Sequence, residues 1–98
     1  MDKSVALSRL KQSEAALRKL GIEQLSLFGS TARGEAGPSS DIDLAAIFAV
    51  DARVGLFRYA AIAERLEEIL GVPVDLVGEP ARKARMQAEI DRDRVRVF

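Results

Sequence analysis

Residues 28–44 have the sequence Phe-Gly-Ser-Thr-Ala-Arg-Gly-Glu-Ala-Gly-Pro-Ser-Ser-Asp-Ile-Asp-Leu. The segment joins two apolar stretches through a turn that is rich in small residues. Gly29 allows a ligand to approach the backbone closely. Ser30 is expected to cap a short helix that starts at Thr31, whose free N–H groups would face an anion. The first half of the segment therefore predicts a phosphate site.

The second half of this segment contains two aspartates, which would bind a cation where the first half would bind an anion. In a strand, residues i and i+2 share one face, so the carboxylates of Asp41 and Asp43 project together while Ile42 and Leu44 point into the core. Carboxylate oxygens are ligands that Mg²⁺ prefers. The segment thus predicts a metal site next to a phosphate site.

The length and composition favour one small folded domain that comprises residues 1–98. Apolar residues make up 48% of the chain and charged residues 31%, which is usual for a soluble globular protein. The longest apolar run, residues 44–50, is too short to span a membrane. The N-terminus also lacks the apolar core of a signal peptide. We expect a cytoplasmic protein.

The residue types that are missing from the sequence exclude several catalytic mechanisms and metal sites. The chain has no cysteine and no histidine, which excludes thiolate nucleophiles, serine–histidine catalysis and zinc held by either residue. Carboxylates and oxygen-binding cations remain. Fifteen basic and fifteen acidic residues cancel, so the whole molecule does not attract nucleic acid and any phosphate must be held locally.

Hydrophobic periodicity predicts a chain in which helices and strands alternate. Helices are expected at residues 4–20, 55–70 and 81–91, and strands at residues 22–28, 41–50, 72–77 and 94–97. A helical turn at 30–33, a loop at 34–40 and a turn at 51–54 connect them. The predicted fold class is α/β in the α+β sense, with a small mixed β-sheet flanked by helices.

Asp75 adds a third carboxylate, on the face of strand 72–77 opposite its two apolar neighbours. If this strand lies beside the one that carries Asp41 and Asp43, three carboxylates converge near the glycine–serine turn. Their repulsion would raise at least one pKa, and a divalent cation would relieve it. Two Mg²⁺ ions about 3.5–4 Å apart can stabilise an in-line displacement at phosphorus. Asp75 could then orient or deprotonate the attacking hydroxyl.

Three further features of the sequence bear on function. Arg33 either contacts phosphate or pairs with Glu35. Tyr59 is expected in the core. A basic cluster in the last helix favours a solvated face or a partner surface over a nucleic-acid site, because acidic residues are interspersed; it comprises Arg82, Lys83 and Arg85.

Residues 29–36, Gly-Ser-Thr-Ala-Arg-Gly-Glu-Ala, and residues 40–44, Ser-Asp-Ile-Asp-Leu, closely resemble the signature of the polymerase-beta-like nucleotidyltransferase superfamily. Within it, the chain resembles the minimal nucleotidyltransferases, small stand-alone domains that are commonly paired as antitoxins with HEPN ribonuclease toxins. The resemblance covers nearly the whole chain, because residues 74–77 are similar to the third-aspartate strand and residues 85–98 to the closing helix and strand. The chain departs from the pattern at Ser39, where many relatives are acidic, and at Ala84, where proline is common.

The resemblance implies a role for each residue of the site. Gly29 and Ser30 would bind nucleotide phosphate, Asp41 and Asp43 would bind Mg²⁺, and Asp75 would complete the metal and base site. The implied activity is transfer of AMP from ATP to a tyrosine hydroxyl of the partner toxin, which silences it.

Two other functions stay open. The chain could neutralise its partner by occlusion, with a vestigial nucleotide site, or it could transfer nucleotides to a small molecule or RNA. A partner protein is the leading acceptor, because a domain of this size has little surface with which to enclose a second substrate.

Overall fold

The computed structural model describes residues 1–37 and 40–98. Its helices and strands are α1 (Lys3–Gln12), α2 (Glu14–Lys19), β1 (Ile22–Phe28), α3 (Gly29–Ala32), β2 (Ile42–Phe48), α4 (Leu56–Leu70), β3 (Val74–Gly78), α5 (Ala84–Asp93) and β4 (Val95–Arg96). A short 3-10 helix, Val50–Ala52, follows β2. Pro38 and Ser39 of the predicted loop lie outside the described residues, so the departure at Ser39 has no structural counterpart here.

The four strands form one mixed sheet in the order β3-β2-β1-β4. β1 is antiparallel to both β2 and β4, whereas β2 and β3 run parallel. The parallel pair requires a crossover connection, which α4 supplies. The predicted fold class is confirmed, and so is the prediction that the strand of Asp75 lies beside the strand of Asp43.

The two faces of the sheet are covered by different helices. On one face, Leu25, Leu27 and Leu44 pack with residues of α1, α2 and α4 in the main core; the fully buried helical members are Ala6, Leu10, Leu17, Ile62, Leu66 and Leu70. On the other face, Phe28 and Ala45 pack against Ile90 of α5 in a smaller apolar cluster. The alternation of side chains along a strand therefore puts Asp43, two residues before Ala45, on the face that α5 covers.

β3 is an edge strand, and α4 closes its outer edge. The N–H of Val74 donates to Oε2 of Glu67 over 2.9 Å. The carbonyl of Leu76 accepts a hydrogen bond from the hydroxyl of Tyr59. Unpaired edge groups otherwise attract further strands, so α4 both fills the core and blocks strand addition beside Asp75.

The prediction of a single N-terminal helix at residues 4–20 is wrong, because the helix is interrupted at Ser13, which separates α1 from α2. Ser13 lies at φ −99°, ψ 10°, and its N–H donates to the carbonyls of Leu10 and Lys11. A side-chain cap from Asp2, whose Oδ1 accepts from the N–H of Val5 over 2.9 Å, starts α1.

Across the described residues, no helix is both long enough and apolar enough to cross a membrane.

Several predicted element ends also need correction. α3 begins at Gly29 with Phe28 as its N-terminal flanking residue and no side-chain cap, so Ser30 lies inside the helix and does not cap it. β2 begins at Ile42, which leaves Asp41 just before the strand. The last strand has only two residues because only Val95 and Arg96 pair with β1.

Candidate active site

The pairing of three strands brings the predicted carboxylates to one end of the sheet. Phe28, the last residue of β1, lies opposite Asp43 in the antiparallel pair. Asp43 in turn lies beside Asp75 in the parallel pair. Residues that are directly opposite in neighbouring strands project on the same face, so Asp43 and Asp75 are side by side. Asp41 is exposed and lies two residues before Asp43.

Gly29 holds the phosphate-type turn against Asp43. Its backbone lies in the left-handed region, at φ +74°. A Cβ atom at this position would overlap the Asp43 carboxylate, with Cγ only 3.0 Å away. Glycine is therefore required twice, for the backbone angle and for the space. The close approach places the start of α3 directly over the carboxylate of β2.

Negative charge is concentrated around Asp43. Burial is the largest cause that raises its pKa, followed by the charges of Asp75, Glu89 and Asp41, while Arg33 acts in the opposite direction. Glu89 belongs to α5 and is half-buried. No local sequence pattern indicates Glu89 at this site, because its position depends on the packing of α5 across the sheet.

The arrangement of side chains fits a Mg²⁺ ion that is held by two protein carboxylates better than one held by three. Within residues 1–37 and 40–98, no group of three or more histidine, cysteine, aspartate or glutamate side chains is close enough to hold a metal ion. The neighbours Asp43 and Asp75 remain as a pair. Mg²⁺ needs only one or two protein carboxylates when water and substrate phosphates complete its shell. Burial and, after it, the neighbouring carboxylates raise the pKa of Asp43, and a bound cation would favour its charged form.

The amide groups at the start of α3 are the donors available to a phosphate. The first N–H groups of a helix have no partner within that helix. The N–H groups that do bond inside the turn come later, from Arg33 to the carbonyl of Gly29 and from Glu35 to the carbonyl of Ser30. Ser30 is half-buried, so its backbone and hydroxyl can reach a ligand.

Arg33 pairs with two carboxylates. Its Nε donates to Oε2 of Glu35 over 2.9 Å, as one of the two sequence interpretations expected. Its Nη1 donates to Oδ2 of Asp93 over 2.6 Å, a contact that the sequence did not suggest. Asp93 also accepts two hydrogen bonds of 3.0 Å from Arg92. The hydrogen bonds from Arg92 and Arg33 lower the pKa of Asp93 to about 2.

The other two features from the sequence lie on one side of β3. Tyr59 was expected in the core, but it is only half-buried and packs edge-on against Phe48, with ring centroids 6.1 Å apart, so it lies at the edge of the core and not within it. Burial and the charge of Asp75 raise its pKa. Arg82, Lys83 and Arg85 are exposed, as expected of a solvated surface, but α5 begins at Ala84, so the predicted helix start at residue 81 is wrong and only Arg85 lies in the helix.

Comparison with known proteins places this site in a family. The nucleotidyltransferase domain model matches residues 10–97. The protein adenylyltransferase MntA of Thermococcus cleftensis is 33% identical over 79 residues, which cover 81% of this chain and 78% of the relative. The chain therefore belongs to the nucleotidyltransferase domain family, and within that family to the minimal nucleotidyltransferases.

Solved structures agree with this assignment. A structure presented as a minimal nucleotidyltransferase has 32% sequence identity and a TM-score of 0.72, and the match covers 97% of this chain and 95% of that one. A tri-AMPylated HEPN toxin of Shewanella oneidensis in complex with its MNT antitoxin contains the same fold, with a TM-score of 0.68 at 19% identity. That match covers 94% of this chain and 71% of the other.

Proposed function

We propose that this chain is a Mg²⁺-dependent protein adenylyltransferase, the antitoxin of a HEPN-type toxin, and that it transfers AMP from ATP to a tyrosine hydroxyl of that toxin. The observation that carries the proposal is the close approach of the Gly29 backbone to Asp43, with Asp75 beside it. A phosphate-binding turn next to metal-binding carboxylates suits displacement at phosphorus. The relative named protein adenylyltransferase and the AMPylated HEPN toxin bound to an MNT antitoxin support the choice of acceptor.

Each residue of the site has a proposed role. Gly29 and Ser30 hold the nucleotide phosphates through the N–H groups at the start of α3. Asp43 and Asp75, which lie side by side, would hold Mg²⁺, and the exposed Asp41, two residues before Asp43, would add a further carboxylate at the edge of the site. Two Mg²⁺ ions, when bound, would supply positive charge to the attacking and leaving oxygens.

The proposed reaction forms one bond and breaks one. The tyrosine oxygen of the acceptor attacks the α-phosphorus of ATP, and the bond from that phosphorus to the bridging oxygen of the β-phosphate breaks. Pyrophosphate leaves with the bonding electrons. The hydroxyl proton passes to the carboxylate of Asp75, which is exposed and can therefore meet an incoming acceptor.

Arg33 keeps a narrower role at the phosphates than the sequence suggested. Two of its donor atoms, Nε and Nη1, already donate to the carboxylates of Glu35 and Asp93. Its remaining N–H groups, the second on Nη1 and the two on Nη2, are those through which it would reach a phosphate of ATP. The pairing also lends Arg33 a second role, which concerns the position of α3.

The proposal treats residues 1–98 as one nucleotidyltransferase domain. Its acceptor arrives on the partner protein, so catalysis requires a complex between the two chains. We place the reaction in the cytoplasm, where ATP is available.

The proposal is tested by comparing two aspartate variants in a transfer assay with α-labelled ATP, Mg²⁺ and the HEPN-type partner. Asp43→Asn removes a proposed metal ligand, and we expect transfer to fall at least ~100-fold. Asp51→Asn is the matched control, because Asp51 is exposed and lies beyond the opposite end of β2; its transfer rate should equal the wild-type rate. Wild-type transfer by a folded Asp43→Asn variant would refute the proposed site.

A further inference from the structure

A long-range ion pair joins the phosphate-binding turn to the C-terminal end of α5. Nη1 of Arg33 lies 2.6 Å from Oδ2 of Asp93, although 60 residues separate the two in the sequence. Arg33 is the residue that ends α3, and Asp93 is the last residue of α5. The pair therefore connects two elements that pack against each other near Asp43.

Both members of this pair are held in place by further contacts. The side chain of Asp93 is only 4% exposed, and Nε and Nη2 of Arg92 donate to its two oxygens over 3.0 Å. Glu35 accepts from Nε of Arg33 over 2.9 Å. An arginine whose fork is fixed in this way makes a directional connection, because the guanidinium is planar and its donors have a set geometry.

The element that this pair restrains cannot hold its own position. α3 has four residues, and so short a helix is not stable without tertiary contacts. Its first residue, Gly29, must stay against Asp43, and the carbonyl of Gly29 accepts a hydrogen bond from the N–H of Arg33 over 3.1 Å. A movement of Arg33 is thus transmitted over one helical turn to the proposed phosphate-binding amides.

We propose that Arg33 and Asp93 form a clasp that positions the Gly29-Ser30 turn over Asp43 and so sets the affinity for nucleotide. Asp93 is a positioning residue, because it reaches the site only through Arg33. The inference rests on the proposed function, since it assigns the turn to nucleotide phosphate. It differs from a direct phosphate contact by Arg33, which would not require Asp93.

A double-mutant cycle separates these two roles. We would measure the affinity for a non-hydrolysable ATP analogue with Mg²⁺ by calorimetry, in the absence of any acceptor, for Arg33→Gln, Asp93→Asn and the double variant. The clasp predicts that each single variant weakens binding roughly tenfold, as expected when a binding group is displaced. It also predicts that the double variant binds no more weakly than Arg33→Gln alone, because Asp93 acts only through Arg33.

The matched control is Glu79→Gln. Glu79 pairs with Arg94 over 2.6 Å, and its side chain is only 7% exposed. The N–O distance of this ion pair and the burial of its carboxylate therefore resemble those of the Arg33–Asp93 pair. This pair joins the segment after β3 to the residue after α5 and does not include α3. Glu79→Gln should lower stability as Asp93→Asn does, yet leave the analogue affinity unchanged.

A second measurement covers the case in which Asp93→Asn fails to fold. The clasp predicts that Arg33→Gln shifts the amide NMR signals of Gly29 and Ser30 in the nucleotide-free chain, whereas loss of a mere phosphate contact leaves those signals unchanged. Unshifted signals would overturn the proposal. So would an Asp93→Asn variant that binds the analogue as Glu79→Gln does, or single-variant effects that multiply in the double variant.

Failure of the proposed function gives a different result. A wild-type chain that binds the analogue but transfers no AMP refutes the adenylyltransferase, while the affinity ratios still decide whether the clasp exists. A wild-type chain that binds no nucleotide overturns both.

Discussion

Gly29 and Gly34 adopt nearly the same backbone angle, with φ of +74° and +76°, but their surroundings differ. A Cβ atom at Gly29 would overlap the Asp43 carboxylate, whereas a Cβ at Gly34 would meet no atom within 4 Å. The two positions therefore separate the cost of a left-handed alanine from the cost of displacing Asp43. The proposed function depends on that contact, since it places the amides proposed to bind phosphate over a carboxylate proposed to bind Mg²⁺.

We expect Gly29→Ala to reduce nucleotide transfer by ~100-fold or more, because the new methyl group must push Asp43 or α3 away. Gly34→Ala should cost only about 1 kcal/mol of stability, from backbone strain, and should retain transfer. Transfer rates and urea unfolding of the two variants check this prediction. Equal activity of the two would show that the close approach of Gly29 to Asp43 is not needed.

The raised pKa of Asp43 makes a prediction about stability and pH. A carboxyl whose pKa is higher in the folded state holds its proton more tightly there, so the charged form destabilises the fold. The penalty begins as the pH rises past 3.8 and is complete above the raised pKa. Asp43→Asn should therefore stabilise the metal-free chain at pH 7 by roughly 0.5–1 kcal/mol, the lower range for such changes.

Urea unfolding with and without Mg²⁺ tests this prediction. The advantage of Asp43→Asn should shrink as the pH falls toward 3.8. Saturating Mg²⁺ should stabilise the wild type and not the variant, since the cation neutralises the carboxylate. A variant that is less stable than the wild type in metal-free buffer at pH 7 would show that no uncompensated charge resides at Asp43.

At the level of secondary structure, α4 connects the core to the site. Its buried face packs on the sheet, while Glu67 and Tyr59 bond to the edge of β3, the strand that carries Asp75. Displacement of α4 would thus disturb both the core and the placement of one carboxylate. Gly71, at φ +75°, ends the helix in the left-handed conformation that glycine favours.

Two leucines of α4 test how much of the stability depends on its buried face. Leu66 is fully buried, whereas Leu56 is 79% exposed. Leu66→Ala should lower the free energy of unfolding by about 2–5 kcal/mol, through lost burial and a cavity, and Leu56→Ala by less than about 0.5 kcal/mol. Urea unfolding compares them. A small effect of Leu66→Ala would mean that α4 does not anchor the core.

For the molecule as a whole, local pattern was enough to predict the strands and most helices. Alternation at residues 22–28 matched β1, and the helix at 55–70 matched α4 to one residue. The glycine–serine turn and the Asp-x-Asp pair are local as well, so both could be located without coordinates. The sequence does not predict the interruption at Ser13, because the apolar residues keep their helical spacing across it. That spacing indicates which face is buried and not where the backbone hydrogen bonds are interrupted.

The parts of the site that the sequence did not disclose are those contributed by α5. Glu89 near Asp43 and Asp93 on Arg33 belong to a helix whose position depends on Ile90 packing against Phe28 and Ala45. These contacts join residues 45 to 62 positions apart in the sequence, and no local motif encodes them. An acidic residue in an amphipathic helix is usually just solvated, so its charge alone gave no reason to place it at the site.

The most direct test of the central claim is the intact mass of the HEPN-type partner after incubation with this chain, ATP and Mg²⁺. Transfer of AMP to a tyrosine predicts that the partner gains one or more adenylate masses and that the added mass maps to a tyrosine. It also predicts that Asp41→Asn/Asp43→Asn abolishes the gain. An unchanged partner mass, in a sample where the two chains form a stable complex, would contradict the account and indicate an antitoxin that acts by occlusion.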